Sequence, residues 1–265
     1  MAVLVPIGER ANAPPNKTTM QTEIRQTLVI PAHNEEALLP RLLDTVEVAR
    51  ARYSFGASAI EVIVADNAST DRTAEIAAER GCRVVSVAKR AIAAARNGGA
   101  AVARSPILAF VDADTQIHPE TFNGIERAMG DSRVVAGATG VTFERWSLAL
   151  VATYAAIIPL VLVTGMDAGV VFCRRSDFIE IGGYNEKLLV AEDVAFLWAL
   201  KKLGRSRRQR LTRLRPMKAV ASTRKFDRHG DWHYFRDFTR MAFARFRNPN
   251  ATEDFIQRYW YNDRP

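Results

Sequence analysis

Apolar runs and helically spaced apolar residues alternate along this chain from Gln26 onward. Residues 27–30 (TLVI) are a short continuous apolar run closed by Pro31, as expected of a buried strand. Leu38, Leu39, Leu42, Leu43 and Val46 then recur at 3/4 spacing, and Asn34 stands where it can cap the helix they predict. Residues 60–65 (IEVIVA) predict a second strand. After a polar turn, a helix is expected over 71–80, with Gly81 in the position past its end that favours a left-handed backbone. A strand at 83–88, a helix at 91–104 and a strand at 107–111 follow, and residues 194–203 read as a later helix. This β-α-β-α-β-α-β order calls for a parallel sheet with right-handed crossovers, a doubly wound α/β fold.

In such sheets ligands bind beyond the carboxyl ends of the strands, so chemistry is expected in the loops at 31–36, 66–71, 89–99 and 112–115. Those segments read Pro31-Ala-His-Asn-Glu-Glu36, Asp66-Asn-Ala-Ser-Thr-Asp71 and Asp112-Ala-Asp114-Thr115. Carboxylates at i and i+2 on extended backbone point to opposite sides. One of Asp112 and Asp114 can then face a ribose or water while the other faces a divalent cation. Mg²⁺ or Mn²⁺ suits such a site, because hard cations prefer oxygen and take one or two carboxylates plus substrate phosphates. A solvated turn also accounts for a lone acid pair, but turn chemistry does not ask for two acids at the end of a buried strand. Asp66 can start a turn as well.

Composition narrows the class. With 48% hydrophobic and 25% charged residues over 265, the chain is an ordinary globular protein, and collagen-like, low-complexity and disordered readings are excluded. Cys82 and Cys173 have no metal-ligand or disulfide spacing, which suggests a reducing, cytoplasmic setting. Residues 1–25 have no signal-peptide pattern and read as a mobile leader. The net charge of +8 is uneven: residues 201–265 carry 18 Lys and Arg against 6 Asp and Glu. That asymmetry suits an anionic partner, whether phosphate, nucleic acid or membrane surface, or simply a solvated basic face. No recognised nucleic-acid module or regular aromatic interleaving accompanies it, so no nucleic-acid partner is expected.

Taken together, the motifs resemble the inverting family 2 glycosyltransferases of GT-A fold. The resemblance rests on Ile30-Pro-Ala-His-Asn-Glu35, Asp66-Asn-Ala-Ser-Thr-Asp71, Ala95-Arg-Asn-Gly-Gly99, Asp112-Ala-Asp114, Gly169-Val-Val-Phe-Cys-Arg174 and Gly182-Gly-Tyr184 with Glu192-Asp193, in that order. It implies a nucleotide-binding half at 26–115 and an acceptor half at 116–230, followed by a basic, aromatic, helical extension at 231–265. It also implies a nucleotide-diphosphate sugar donor and a divalent metal. Pro31, Asn34 and Glu35 would line the base and ribose pocket, Asp66 would bond the base, and Arg96 would lie near the nucleotide and its diphosphate. Asp112 would face ribose or metal, Asp114 would ligate the metal, and Asp193 would be the general base. Gly183, Tyr184 and Glu192 would belong to the acceptor side. In some relatives a basic loop returns over the diphosphate, which would give Arg224 and Lys225 that role and make His229 a third metal ligand. For Glu192 and Asp193, favourable charge at a helix N-terminus is the structural alternative.

Two other readings compete. A sugar-phosphate nucleotidyltransferase would open with a Gly-rich, basic loop after the first strand, and Pro31-Ala-His-Asn-Glu35 is not one. A non-catalytic nucleotide-binding or membrane-docking module would be expected if Asp114 or Asp193 were missing. Residues 148–164 carry no charge but are interrupted by Pro159. A span there would put Asp112 and Asp114 across a bilayer from Asp193, so the stretch is expected to be either a buried helix under the acceptor pocket or a docking surface for a lipid-linked acceptor at the membrane's inner face. Gln209-Arg-Leu-Thr-Arg213 only faintly echoes the motif of processive synthases, and processive synthesis is not expected.

Overall fold

The computed structural model describes residues 23–232, apart from 165, 189 and 190, together with all helix and strand side chains in that range except those of 156, 157, 160, 162, 163, 225 and 229. Nearly all of the expected leader, the extension beyond 232, and the Lys225 and His229 side chains therefore lie outside the described residues. Residues 26–115 supply strands β1 (Gln26–Ala32), β2 (Ile60–Asp66), β3 (Arg83–Ser86) and β4 (Ile107–Phe110). Helices α1 (Leu39–Ala51), α2 (Thr73–Glu79) and α3 (Ile92–Ala101) connect them. The rest of the chain adds β5 (Thr115–Gln116), α4 (Thr121–Gly130), β6 (Val134–Ala138), β7 (Val141–Phe143) and α5 (Leu148–Thr164). It continues through β8 (Val171–Arg174), α6 (Arg175–Glu180), α7 (Glu192–Ser206), β9 (Arg210–Arg213), β10 (Ala219–Ala221) and α8 (Arg224–His229).

Seven strands form one sheet in the order β3-β2-β1-β4-β8-β6-β9, and β5-β10-β7 form a small second sheet. All neighbours in the large sheet are parallel except β8, which runs antiparallel to both β4 and β6. Both halves of the chain thus share a single sheet. Strands β1, β2, β4, β6 and β8 are largely buried on both faces, as continuous apolar runs require, while the edge strands β3 and β9 are half-exposed. Leu28 and Ile30 pack with α1 and α4 residues such as Leu42 and Phe122 on one face. Val29, Leu108 and Phe110 pack with α3 and α7 residues such as Ala93 and Phe196 on the other.

Register sets the site. Ala32 pairs with Asp66, and Val29 pairs with Phe110, so β1, β2 and β4 end at one edge. Strand β1 does not stop at Pro31 but runs through it. Val29 presents its carbonyl to Val111 N, so Pro31, two residues on, faces the same side, where β4 has already ended. Its missing N–H therefore breaks no ladder bond.

Three more expectations are corrected. Asn34 does not cap α1: it has φ +52°, and α1 begins at Leu39 with Pro40 in its first turn and no side-chain cap. The segment at 89–99 is mostly α3 rather than loop. Residues 148–164 form a helix, but not a buried one, since Ala149 and Leu150 are its only buried side chains among those described. Among the described residues no helix is long and apolar enough to cross a membrane.

Gly99 explains part of its own motif. A Cβ there would lie 2.4 Å from Val29 Cγ1, where α3 packs on β1. Gly99→Ala is expected to lower stability by about 1–3 kcal/mol through overpacking, despite a better helix propensity. Urea denaturation checks this, and an unchanged or raised midpoint would show that the packing is not tight.

Candidate active site

Beyond the ends of β1 and β2, two loops are laced together. Asn34 N donates to Ser69 Oγ at 3.1 Å, and Asn34 Oδ1 accepts from Thr70 N at 2.8 Å. Glu35 N donates to Thr73 Oγ1, and Glu36 N to Asp71 Oδ2. Asp66, at the tip of β2, is buried and accepts from Ser69 N at 3.2 Å. Ala68 and Ala191 share the left-handed backbone of Asn34, with φ +58° and +59°. Strained non-glycine positions of this kind gather where a surrounding network holds them, often at binding sites.

On the other side of β1, the carboxylates at the end of β4 meet the first turn of α7 across one guanidinium. Arg96 projects from α3 with only 4% of its side chain exposed. Its Nη2 donates to Asp112 Oδ1 at 2.8 Å, and its Nη1 lies 2.9 Å from Glu192 Oε1 and 2.8 Å from Asp193 Oδ1. The resemblance expects Arg96 at the diphosphate; here it spans three carboxylates from both halves. Tyr184 is expected on the acceptor side, yet it is buried beneath Arg96. Its ring centre lies 5.0 Å from the guanidinium carbon, and it stacks on Phe196 at 4.0 Å. The neighbouring Asn97 locks this arrangement. Its Oδ1 accepts from Tyr184 N and its Nδ2 donates to Tyr184 O, both at 2.9 Å. Gly183 is required at its position: it has φ +71°, and a Cβ would lie 2.7 Å from Asn97 Oδ1. The Arg96-Asn97 and Gly182-Gly183-Tyr184 motifs therefore form one joint between the halves.

Charge in the joint is unbalanced. Burial opposes the Arg96 charge, but Asp193, Asp112 and Glu192 outweigh it and hold the guanidinium firmly protonated. Asp193 sits deep among protein atoms, although 43% of its side chain remains reachable by solvent. Burial, with Asp112 and Glu192 nearby, pushes its carboxyl up to about 7 against the pull of Arg96. Glu192 and Asp193 open α7 itself rather than preceding it, so the helix N-terminus also favours their charge.

Asp114, two residues beyond Asp112, is capped by the returning chain: Ser222 N donates to its carbonyl at 3.2 Å. Arg224 Nη2 donates to Glu35 Oε1 at 2.9 Å and stands 3.9 Å from Asp114 Oδ2. The cation expected at a diphosphate thus does lie between the two loops. Asp112 and Asp114 keep 48% and 26% of their side chains exposed. Their oxygens, in a surplus of negative charge, fit a hard divalent cation. Among the described residues no three His, Cys, Asp or Glu gather closely enough to hold a metal alone, so the protein's share would be one or two carboxylates, with phosphate oxygens completing the shell.

Asn97 and the clamp made by Arg96 are what the residue pattern leaves out. The signal available was an arginine within an alanine-rich helix (Ala93, Ala94, Ala95), since a buried arginine must find carboxylates.

Comparison with known proteins agrees with this architecture. Residues 27–153 match the family described as Glycosyl transferase family 2. Over 100 residues the chain is 37% identical to validoxylamine A glucosyltransferase of Streptomyces hygroscopicus subsp. limoneus, a match covering 36% of this chain and 21% of that protein. The matched segments span from about a fifth to half the length of the curated relatives. Among solved structures, S. aureus TarS 1-349 in complex with UDP-GlcNAc superposes with a TM-score of 0.59 at 18% identity, covering 75% of this chain and 58% of TarS. The Pyrobaculum calidifontis mannosyltransferase PcManGT, in complex with GDP-Man and Mn2+, gives 0.57 at 19% identity, covering 76% and 56%.

Removing the guanidinium should expose the imbalance. Arg96→Met is expected to cost about 2–3 kcal/mol at pH 8, because it leaves Glu192 and the partly exposed Asp112 and Asp193 without their shared cation. The loss should be smaller at pH 5. There Asp193, raised to about 7 in the folded protein, is protonated, whereas in the unfolded chain it is already ionised. For the same reason, this group's contribution to wild-type stability falls as pH climbs from the ordinary aspartate range through 7. Urea denaturation at both pH values tests this; an equal loss at the two would remove Asp193 from the clamp.

Proposed function

We propose, for a chain whose residues 27–153 match Glycosyl transferase family 2 and whose fold is of GT-A type, a metal-dependent, inverting, non-processive transfer of a sugar from a nucleotide-diphosphate donor to an acceptor hydroxyl. The observation that carries the proposal is the joint around Arg96. It brings a carboxylate at the end of β4 and one at the start of α7 to the same guanidinium. Donor-side and acceptor-side chemistry can then act on one bond.

In this reading the nucleoside lies over the laced loops, with Pro31, Asn34, Glu35 and Asp66 about it and Asp112 at the ribose. Asp66 ends β2 and Asp112 lies two residues past β4, on opposite flanks of β1, with strand axes about 10 Å apart at two strand spacings. Asp114, with Asp112, would hold the divalent ion, Mg²⁺ or Mn²⁺. Such an ion neutralises charge building on the departing diphosphate. Arg224 serves the same end once a phosphate draws it from Glu35. Asp193 accepts the proton of the attacking hydroxyl from the opposite face of the sugar, in a single displacement that inverts the anomeric centre. Arg96 acts through these groups as a positioning residue: it fixes Asp193 relative to Asp112, and Tyr184 and Gly183 support it from below. The raised proton affinity of Asp193 fits a base that works near neutral pH. Cys82 and Cys173 are unpaired, in keeping with a reducing cytoplasmic setting.

Asp193→Asn should lower kcat by about 10²–10⁴-fold while leaving nucleotide affinity nearly unchanged. In the wild type, kcat/KM should fall as pH drops through about 7, because the base must be ionised in the free enzyme. Steady-state kinetics with calorimetric nucleotide binding checks both; a large loss of nucleotide affinity would move Asp193 to the donor side. Asp114→Asn should abolish metal-dependent turnover. Wild-type turnover that survives excess chelator would refute the metal's role.

A further inference from the structure

Among the described residues, helix α5 is the part least suited to water. None of its 17 residues is charged. Leu148, Val151, Ala155 and Ile158, spaced three and four apart, are all exposed, Leu148 at 85% and Val151 at 50%. A helix apolar on every side is normally buried in a protein core or in lipid. This one lies on the surface, carries Pro159 within it and is too short to cross a bilayer.

Its two ends are furnished alike. At the start stands Trp146, exposed and edge-on to Tyr154, whose hydroxyl accepts from Lys218 Nζ at 3.1 Å. Arg145 pairs there with Asp231, beside the exposed Trp232. At the far end, Lys201 of α7 donates to the Thr164 carbonyl, and its ammonium lies 5.7 Å from the ring centre of Trp198. Trp198 and Val194, one turn apart on α7, are exposed, and Val194 directly follows Asp193. Tryptophan and lysine thus flank both ends of an apolar rod roughly 25 Å long at 1.5 Å per residue.

We propose that α5, together with Trp146, Trp198 and Val194, seats this protein on an anionic bilayer surface, the helix lying in the plane of the headgroups. Indole rings favour the headgroup boundary, and lysines beside them reach anionic phosphates while their stems cover apolar surface. The surplus of 18 basic over 6 acidic residues in 201–265 has the sign such a surface attracts. A second copy of the chain would bury the apolar stripe equally well, but it gives no reason for lysine and tryptophan at both ends. The docking is independent of the transferase reading, since vesicle binding is measured with no donor present.

Flotation of the full chain with phosphatidylglycerol-containing and pure phosphatidylcholine vesicles tests the proposal. Binding should require the anionic lipid and weaken with salt. Leu148→Glu/Val151→Glu should reduce it by about tenfold or more, with an unchanged circular dichroism spectrum and melting temperature. In the wild type, brominated lipid should quench tryptophan fluorescence, a readout that needs no variant. The proposal is overturned by absent vesicle binding, by binding indifferent to the double substitution, or by absent quenching. A dimer seen by light scattering that the substitutions dissociate, with vesicles ignored, would overturn it in favour of a second copy.

Discussion

A single guanidinium holds the two halves of this protein in register. Arg96 leaves α3 and is shared by Asp112, just beyond β4, and by Glu192 and Asp193, which open α7. Removing the carboxylates is costly because the stranded guanidinium, almost wholly buried, has little water to turn to. The surrounding residues follow from that constraint. Tyr184 and Phe196 give the guanidinium an aromatic floor, Asn97 pins the turn that presents Tyr184, and Gly183 leaves room for Asn97. One cation facing three carboxylates is not neutral, and the remaining negative charge makes the site receptive to an incoming cation.

The same imbalance connects stability to chemistry. An aspartate raised to about 7 is poorly accommodated as an ion in the free protein, a local cost the rest of the fold offsets. Binding a cation beside Asp112 would relieve it, because the neighbouring negative charge that raises Asp193 is then neutralised. In the proposed reaction, donor loading and ionisation of Asp193 would in that sense be coupled through Arg96. Arg224 shows a parallel arrangement on the other loop, where Glu35 holds it close to Asp114.

Much of this was legible in the residues, for identifiable reasons. Strands β1, β2 and β4 are largely buried on both faces and so read as plain apolar runs, and their order alone puts Asp66, Asp112 and Asp114 at the carboxyl edge of the sheet. Gly81 marks the end of α2 through its left-handed backbone, as expected. Local signals misled where tertiary contacts decide. Asn34 looks like a helix cap but is used to tie two loops, and Pro31 stays within a strand because its neighbour has already ended. The clamp was invisible because the partners of Arg96 lie 16, 96 and 97 residues away. Helix α5 was ambiguous because an uncharged stretch looks the same whether core or lipid is to cover it.

A double-mutant cycle between Arg96→Met and Asp112→Asn, read by urea denaturation at pH 8, tests the central claim most directly. If one guanidinium serves both halves, losing it should cost less once Asp112 has been neutralised, with a coupling of about 1–3 kcal/mol. Strictly additive effects would mean that Arg96 and Asp112 are structurally independent, and the joint shared by the β4 end and α7 would not exist.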